Sequence, residues 1–310
     1  MSFSAIMTLL QTALELGLIS SLTVLALFLS YTMLNVCDLS TDGCFTLGAA
    51  VGAMVAICGH PYLSIIAAMC AGVLSGFITS MLQTKMGIDS LLAGIIVNTA
   101  LYSINIAVMG NSSLLNMNKT ETIFTVMQEK LKGTFLSGQY KLIVILIAVV
   151  LVVAFQVVFL HTRLGLAIRA TGDNPYMVRS SSINPVFTIT VGLCISNSFT
   201  ALSGCLLGQS QKSVNIDIGS GMVTVALASL LIGRAFLGKG GLLSRAIGAV
   251  LGSFVFRLVY TIALRFNMPA YMLKLVSSII VIIAISGPYL KTKIPVFKRQ
   301  YLHKTGKGDK

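Results

Sequence analysis

Apolar runs of about 20 residues recur along almost the whole chain, and nothing else in it constrains the fold so tightly. A run of that length crosses a hydrocarbon core of about 30 Å as a helix. The runs lie at 6–34, 44–59, 62–83, 91–110, 140–160, 185–208, 220–233, 246–264 and 270–289. They are continuous and do not alternate apolar with polar residues, so helices rather than barrel strands must satisfy their backbone in lipid. The expected fold is all-α, a polytopic membrane helical bundle. Composition agrees: 55% of residues are hydrophobic and 10% charged, against about 25% charged in a soluble domain. The runs at 44–59 and 220–233 are short for a full crossing, are punctuated by glycine, and follow polar stretches. That pattern predicts short or discontinuous helices lining a path.

Charge sets the orientation. The net charge is +13, but Lys and Arg sit at the ends of apolar runs and in the last twenty residues. This is a pattern of membrane orientation rather than a nucleic-acid surface, so no nucleic-acid partner is expected. The stretch KTKIPVFKRQYLHKTGKGDK, residues 291–310, holds seven Lys or Arg and one acid. Arg163, Arg169 and Arg179 gather in and beside a polar island at 164–184. Arg234, Lys239 and Arg245 surround a glycine-rich turn. The positive-inside rule puts all three regions on the cytoplasmic face. The loops at 111–139, 209–219 and 265–269, and the N-terminus, then fall outside. Residues 1–290 read as one transmembrane domain of about 8–10 helices, and 291–310 as a basic cytoplasmic tail. No Lys or Arg precedes Lys85, so no cleavable signal peptide is expected.

Few groups could carry chemistry. The cysteines, at 37, 44, 58, 70, 194 and 205, form no CxxC pair and read as small packing residues. His60, His161 and His303 lie too far apart for metal-ligand spacing. GRAFLGKG, Gly233 to Gly240, follows the phosphate-loop pattern for seven positions. It then has Gly240 where a Ser or Thr should hold Mg²⁺, and no strand precedes it. It reads as a turn, so no nucleotide and no cofactor is expected on this chain. No catalytic constellation stands out, so an enzyme is not expected. The pairs Gly48/Gly52, Gly72/Gly76, Gly204/Gly208 and Gly248/Gly252 each put two glycines on one helix face. They mark close-packing seams, internal or, for one of them, between copies.

The stretch CDLSTDGCFTLGAA, residues 37–50, is different. Asp38 and Asp42, with Ser40 and Thr41, stand between two apolar runs, where a carboxylate costs about 2.5–3.5 kcal/mol. The stretch is either a cytoplasmic turn or the wall of a water-filled path. If Leu39 begins a helix, Asp38 caps it. Arg257 lies near the middle of its run and needs a carboxylate, carbonyls or water. Asp38, Asp42 and Glu15 are the acids available to it. With Asn98, these residues (Asp38, Ser40, Thr41, Asp42, Asn98 and Arg257) are the candidates for a translocation path. Lys274, four residues into its run, snorkels to the nearest interface.

The island LGLAIRATGDNPYMVRSSSIN, Leu164 to Asn184, interrupts the apolar pattern with charge and amides. Asn174-Pro175 is a helix-start signal, Asn as cap and Pro in the first turn. About two turns of helix can follow. Met177 and Ile183 offer apolar contact, Arg179 offers a fork for a carboxylate, and Gly172-Asp173 makes the turn that aims the helix. Such a unit suits docking into a partner's groove; the plain alternative is a solvated loop.

HTRLGLAIRATGDNPYMVRSSSIN resembles the cytoplasmic coupling segment of permease subunits in bacterial ABC importers, of the branched-chain amino acid and ribose permease family. The family pattern R-x-G-x-x-x-x-A-x-G-x-N is met by Arg163, Gly165, Ala170, Gly172 and Asn174, with Arg179 and Ile183 beyond. Ser182 departs from it, standing where glycine is usual, and Val178 and Ser180 flank a position where small alanines are common. NVCDLSTDGCFTLGAAVGA and GSGMVTVALASLLIGRAFLGKGGLLSRAIGAVLGS resemble two further family segments, so the likeness covers most of 20–290. The D-L-[ST]-x-D-G form looks most like the branch assigned to tryptophan-like amino acids.

The resemblance implies a multi-pass subunit of the bacterial inner (plasma) membrane, embedded in membrane lipid, with its C-terminus cytoplasmic. It implies three partners: an ABC ATPase subunit that carries ATP and Mg²⁺, an extracellular solute-binding protein, and a second permease copy. Arg163, Arg169, Gly172, Asp173, Asn174, Pro175 and Arg179 would couple to the ATPase. Arg179 and Asp173 would hold the interface and Gly172 would set its angle. The solute would be an amino acid or a similar small polar molecule. The alternative is an ion- or proton-coupled secondary transporter with Asp38, Asp42 and Arg257 as relay.

Overall fold

A computed structural model describes residues 3–130, 132, 139–237, 240–265, 275, 277–282 and 286. Helix α1 (Phe3–Leu27) runs into a π-turn at Phe28–Met33, and α2 (Thr41–Ile57), α3 (Pro61–Thr84) and α4 (Ser90–Val108) follow. A short strand β1 (Leu114–Asn116) and helix α5 (Ile123–Lys130) lead to α6 (Tyr140–His161). Then come α7 (Arg163–Asp173), α8 (Pro175–Ser180), α9 (Pro185–Gln211), β2 (Ser213–Asn215), α10 (Met222–Leu237) and α11 (Leu242–Arg265). Six of these helical stretches are long and apolar enough to cross a membrane among the described residues. The chain is an all-α polytopic bundle. Helices α2 and α10 are the short apolar pair, close to the 44–59 and 220–233 runs. The tail 291–310, Lys239 and Lys274 lie outside the described residues.

Burial sorts the helices into inner and outer. In α1, 78% of the apolar window is buried, and in α9 61%, against 28% in α4 and α6. Outer helices present apolar side chains outward, such as Leu74 on α3, Ile96 on α4 and Val158 on α6. These suit acyl chains. The inner helices are too apolar for hydrophobicity to distinguish one neighbour from another in lipid, so small residues and hydrogen bonds set the contacts. Ser203 and Ser196 of α9 donate to the Ile19 and Ala26 carbonyls of α1 at 2.7 and 2.8 Å. Gln156 of α6 donates to the Leu25 carbonyl at 2.9 Å, and Ser253 of α11 to that of Gly17 at 2.8 Å. Such interhelical bonds contribute about 0.6 kcal/mol each.

All four glycine pairs are internal seams. Gly48 and Gly52 of α2 meet Ala201 and Cys205 of α9, and Gly204 meets the Phe45 carbonyl in return. Gly72 and Gly76 of α3 meet the Asn197 and Leu193 carbonyls on another side of α9. Gly252 of α11 packs on the Ser229 carbonyl, and Gly248 against Gly233 of α10. A methyl group at most of these positions would run into backbone. Gly233 is helical, so the phosphate-loop look-alike begins inside α10 rather than in a loop.

Two findings depart from the pattern read in the sequence. Strands β1 and β2 pair antiparallel, Leu115 opposite Val214, and so tie the loops at 111–139 and 209–219 to one end of the bundle. Gly172 and Asp173 form no turn; they end helix α7, and the joint falls at Asn174. Gly172 is helical because the last turn of α7 presses on the Met33 carbonyl and Leu34 backbone, where no side chain fits.

Candidate functional site

After the π-turn, Asn35 takes a left-handed φ of 56° and the chain doubles back toward the bundle centre. Asp38, 1% exposed, lies there. One of its oxygens accepts from Ser40 N at 2.8 Å and Ser40 Oγ at 2.6 Å, and the other from Asn197 Nδ2 at 2.9 Å. Thr41 Oγ1 donates to the Asp38 carbonyl at 2.9 Å. Helix α2 begins at Thr41, not Leu39, so Asp38 braces an Asx-type turn before the helix rather than capping it. Asp38, Ser40 and Thr41 are therefore buried in a knot that fastens the start of α2 to the middle of α9. None of the three lines a cavity wall described below.

Asp42, four residues on, points elsewhere. Its two oxygens accept from the backbone N–H of Gly221 at 2.9 Å and of Val223 at 2.8 Å. These are orphan donors at the start of α10, so the carboxylate of one short helix caps the other. Close approach makes this bond geometry: the missing side chain of Gly219 lets its backbone lie on the Asp42 carbonyl. A cavity of about 420 Å³ opens beside Asp42, walled by Thr46, Asn98, Tyr102, Asn105 and Asp217 among others. Asn105, 1% exposed, donates to the Gly43 carbonyl at 3.1 Å, and its own carbonyl oxygen is buried with no hydrogen-bond partner among the described residues. Thr99, Tyr102 and Ser103 form the outer rim on α4 and are exposed.

Arg257 reaches the opposite side of the same turn. Its Nε donates to Ser20 Oγ at 2.9 Å, one Nη meets Met222 Sδ at 3.8 Å, and the guanidinium sits 5.6 Å from the Tyr260 ring centre. It lines a second cavity of about 460 Å³. Asp38, Asp42 and Arg257 thus bond to separate partners, and Glu15 accepts from Gln11. No continuous relay links them among the described residues.

At the far end from the β1–β2 pair, α7 and α8 make a built unit. Thr162 Oγ1 caps α7, accepting from Gly165 N at 3.2 Å, and Gly165 lets α7 fold onto the Phe159 and Leu160 backbone. Ile168 is fully buried, and Thr171 bonds Thr188 of α9 at 2.8 Å. Asn174 Oδ1 accepts from Tyr176 N and Met177 N at 3.0 and 3.1 Å, with Pro175 in the first turn of α8. Val178 is buried beneath α8. Arg163, Asp173, Asn174, Pro175 and Arg179 are exposed, as are Tyr176 and Met177, while Arg169 and Gly172 are half-buried. Ser182 takes φ 61°, the left-handed region where glycine is at ease, which explains why glycine is usual there.

A long-helix bundle with two short helices meeting at a central capped turn, and an exposed helical unit at one end, has the form of a membrane permease. The chain belongs to the family described as Branched-chain amino acid transport system / permease component, which matches residues 9–285. It is a permease component of an ABC-type transport system for small solutes. It is 31% identical over 268 residues to the tyrosine transport system permease protein of Clostridioides difficile (strain R20291), covering 86% of each chain. It is 30% identical to an uncharacterized protein of Rickettsia prowazekii (strain Madrid E), covering 91% of this chain and 98% of that one. To the ribose import permease protein RbsC of Escherichia coli (strain K12) it is 27% identical, over 70% of this chain and 67% of the relative. No solved structure matches it.

The sequence reading missed Asn105 and Asn197. Each is one amide in an apolar run, and nothing local separates a bonded amide from a lining one. It also missed Tyr176, which is 84% exposed on α8, more so than its apolar neighbour Met177.

Proposed function

We propose that this chain forms the solute path of a bacterial importer and that a separate ATPase moves it through α7 and α8. The observation that carries this reading is the seat of Gly172 on Met33 and Leu34. It joins the exposed unit to the end of α1, and Asp38, four residues beyond Leu34, is bonded to Asn197 of α9. A push on α8 therefore reaches the start of α2, and with it the Asp42 cap on α10, through packed backbone rather than flexible loop. Arg179 and Asp173, with Tyr176 and Met177, are the surface for the ATPase. Arg163 and Arg169 add positive charge to that face. ATP and Mg²⁺ belong to the ATPase.

The cavity beside Asp42 and Asn98 is our choice for the path, with Asp38, Ser40 and Thr41 as its anchor. Its amides, hydroxyls and carboxylates suit an amino acid or similar small polar solute, in keeping with relatives named for tyrosine and ribose. The polar rim on α4 is poorly suited to acyl chains, so a second copy of the chain covers it. The β1–β2 end faces outward toward a solute-binding protein, and the C-terminus is cytoplasmic in the plasma membrane.

Purification in mild detergent tests the class: a stoichiometric soluble ATPase should accompany the chain. Arg179→Glu should then leave insertion and solute binding intact but reduce solute uptake in vesicles about tenfold. Uptake driven by an ion gradient in vesicles without any ATPase would overturn the proposal.

A further inference from the structure

Among the described residues Arg257 is a cation without a counter-charge. A charged group at this depth is expensive unless paired, by about 2.5–3.5 kcal/mol on insertion scales. Glu15, Asp38, Asp42, Asp89, Glu121, Glu129, Asp173 and Asp217 are described residues, and none of them bonds Arg257. The remaining acid is Asp309, in the basic tail, and residues 266–290, which follow α11, contain no Asp or Glu. What Arg257 touches among the described residues is neutral: a hydroxyl, a thioether and an aromatic ring.

The cavity it lines is suited to an oxyanion. Ser220, Thr224, Tyr260, Ser277 and Ser278 contribute hydroxyl-bearing walls beside the guanidinium. Ser220 also lines the cavity beside Asp42, and Gly221 is held by Asp42 while forming part of the Arg257 wall. One turn thus separates an acidic chamber, with Asp42 and Asp217, from a basic one. A guanidinium offers a planar fork that matches a carboxylate with two hydrogen bonds.

We propose that Arg257 is the carboxylate-binding residue for the transported solute, and that the solutes are small molecules bearing a free carboxylate. This rests on the reading of the chain as a solute permease and narrows its substrate class. The Arg257 chamber takes the carboxylate. Neutral sugars lack the group that Arg257 is placed to hold.

The test uses the full chain in phosphatidylcholine nanodiscs, with the twenty standard amino acids and their methyl esters as probes. At least one free acid should bind about tenfold or more tightly than its ester. Arg257→Gln should bring that ratio to about one while leaving the ester's affinity unchanged, and Arg257→Lys should keep part of the preference. Equal binding of acid and ester throughout, or no binding of any probe, overturns the proposal. So does an equal loss of acid and ester in both variants, which marks a structural role. A phospholipid retained through delipidation by the wild type and lost by Arg257→Gln would assign the site to a lipid phosphate instead. The acid-to-ester ratio is read without an ATPase, so the absence of a co-purifying ATPase would defeat the importer reading and leave this result standing.

Discussion

Asp38 and Asp42 stand four residues apart, in the same motif and with the same side chain, yet they live in different solvents. Asp38 is enclosed, and its oxygens are bonded to Ser40 and to Asn197 of α9. Asp42 is half-buried at a cavity wall and bonded to two backbone donors at the start of another helix. The lesson is that a carboxylate inside a membrane bundle can be a rivet or a lining group. The difference is whether its lone pairs are consumed by side chains in a dry knot or by a helix start that borders open space.

Substitutions can break the comparison. The largest effect should come from Asp38→Ala, which strands Asn197 Nδ2 and the Ser40 donors in a buried site. Losing hydrogen bonds to a charged group at about 1.5–3 kcal/mol each should cost about 3 kcal/mol or more. Thermal unfolding of the purified protein should show it, and an unchanged midpoint would remove Asp38 from the anchor. Gly172→Leu comes next. Its side chain meets the Met33 carbonyl, so overpacking should cost about 1–3 kcal/mol. Uptake should fall more than unfolding predicts, because the contact that transmits motion is the one displaced.

Asp42→Asn should be gentler on the fold. The amide keeps one acceptor for the two N–H groups that the carboxylate oxygens hold, so stability should fall by about 1–2 kcal/mol. Uptake in vesicles should nevertheless drop about tenfold. If Asp38→Asn and Asp42→Asn lower stability and uptake in the same proportion, the distinction between rivet and lining group fails. The smallest effect should separate Ser182 from both carboxylates. Ser182→Gly should be nearly neutral, since relief of left-handed strain and added chain entropy oppose each other. Ser182→Val should lower stability by about 1–2 kcal/mol in the same melting assay.

Much of this architecture can be read locally. The continuous apolar runs foretell the long helices, and the short runs at 44–59 and 220–233 foretell α2 and α10. Asn174-Pro175 foretells the cap of α8, because an Asn side chain reaches only its own next few N–H groups. The same reasoning fails at Gly172, where a turn signal sits inside a helix. Glycine serves there to let α7 touch the backbone of α1, and one-dimensional sequence cannot distinguish that use from a turn. It also grouped Asp38 with Asp42, since their neighbours in the chain are alike.

By itself the sequence determined the solvent of this chain, its helices and their ends. Hydropathy, backbone satisfaction and capping are properties of a short segment, and they hold wherever that segment is placed. Tertiary structure decided which polar groups are dry and which line a cavity. Asp38 meets its partner 159 residues away and Asp42 meets Gly221 179 residues away. Hydrogen bonds reach about 3 Å, so nothing short of the folded bundle determines which donors and acceptors come that close.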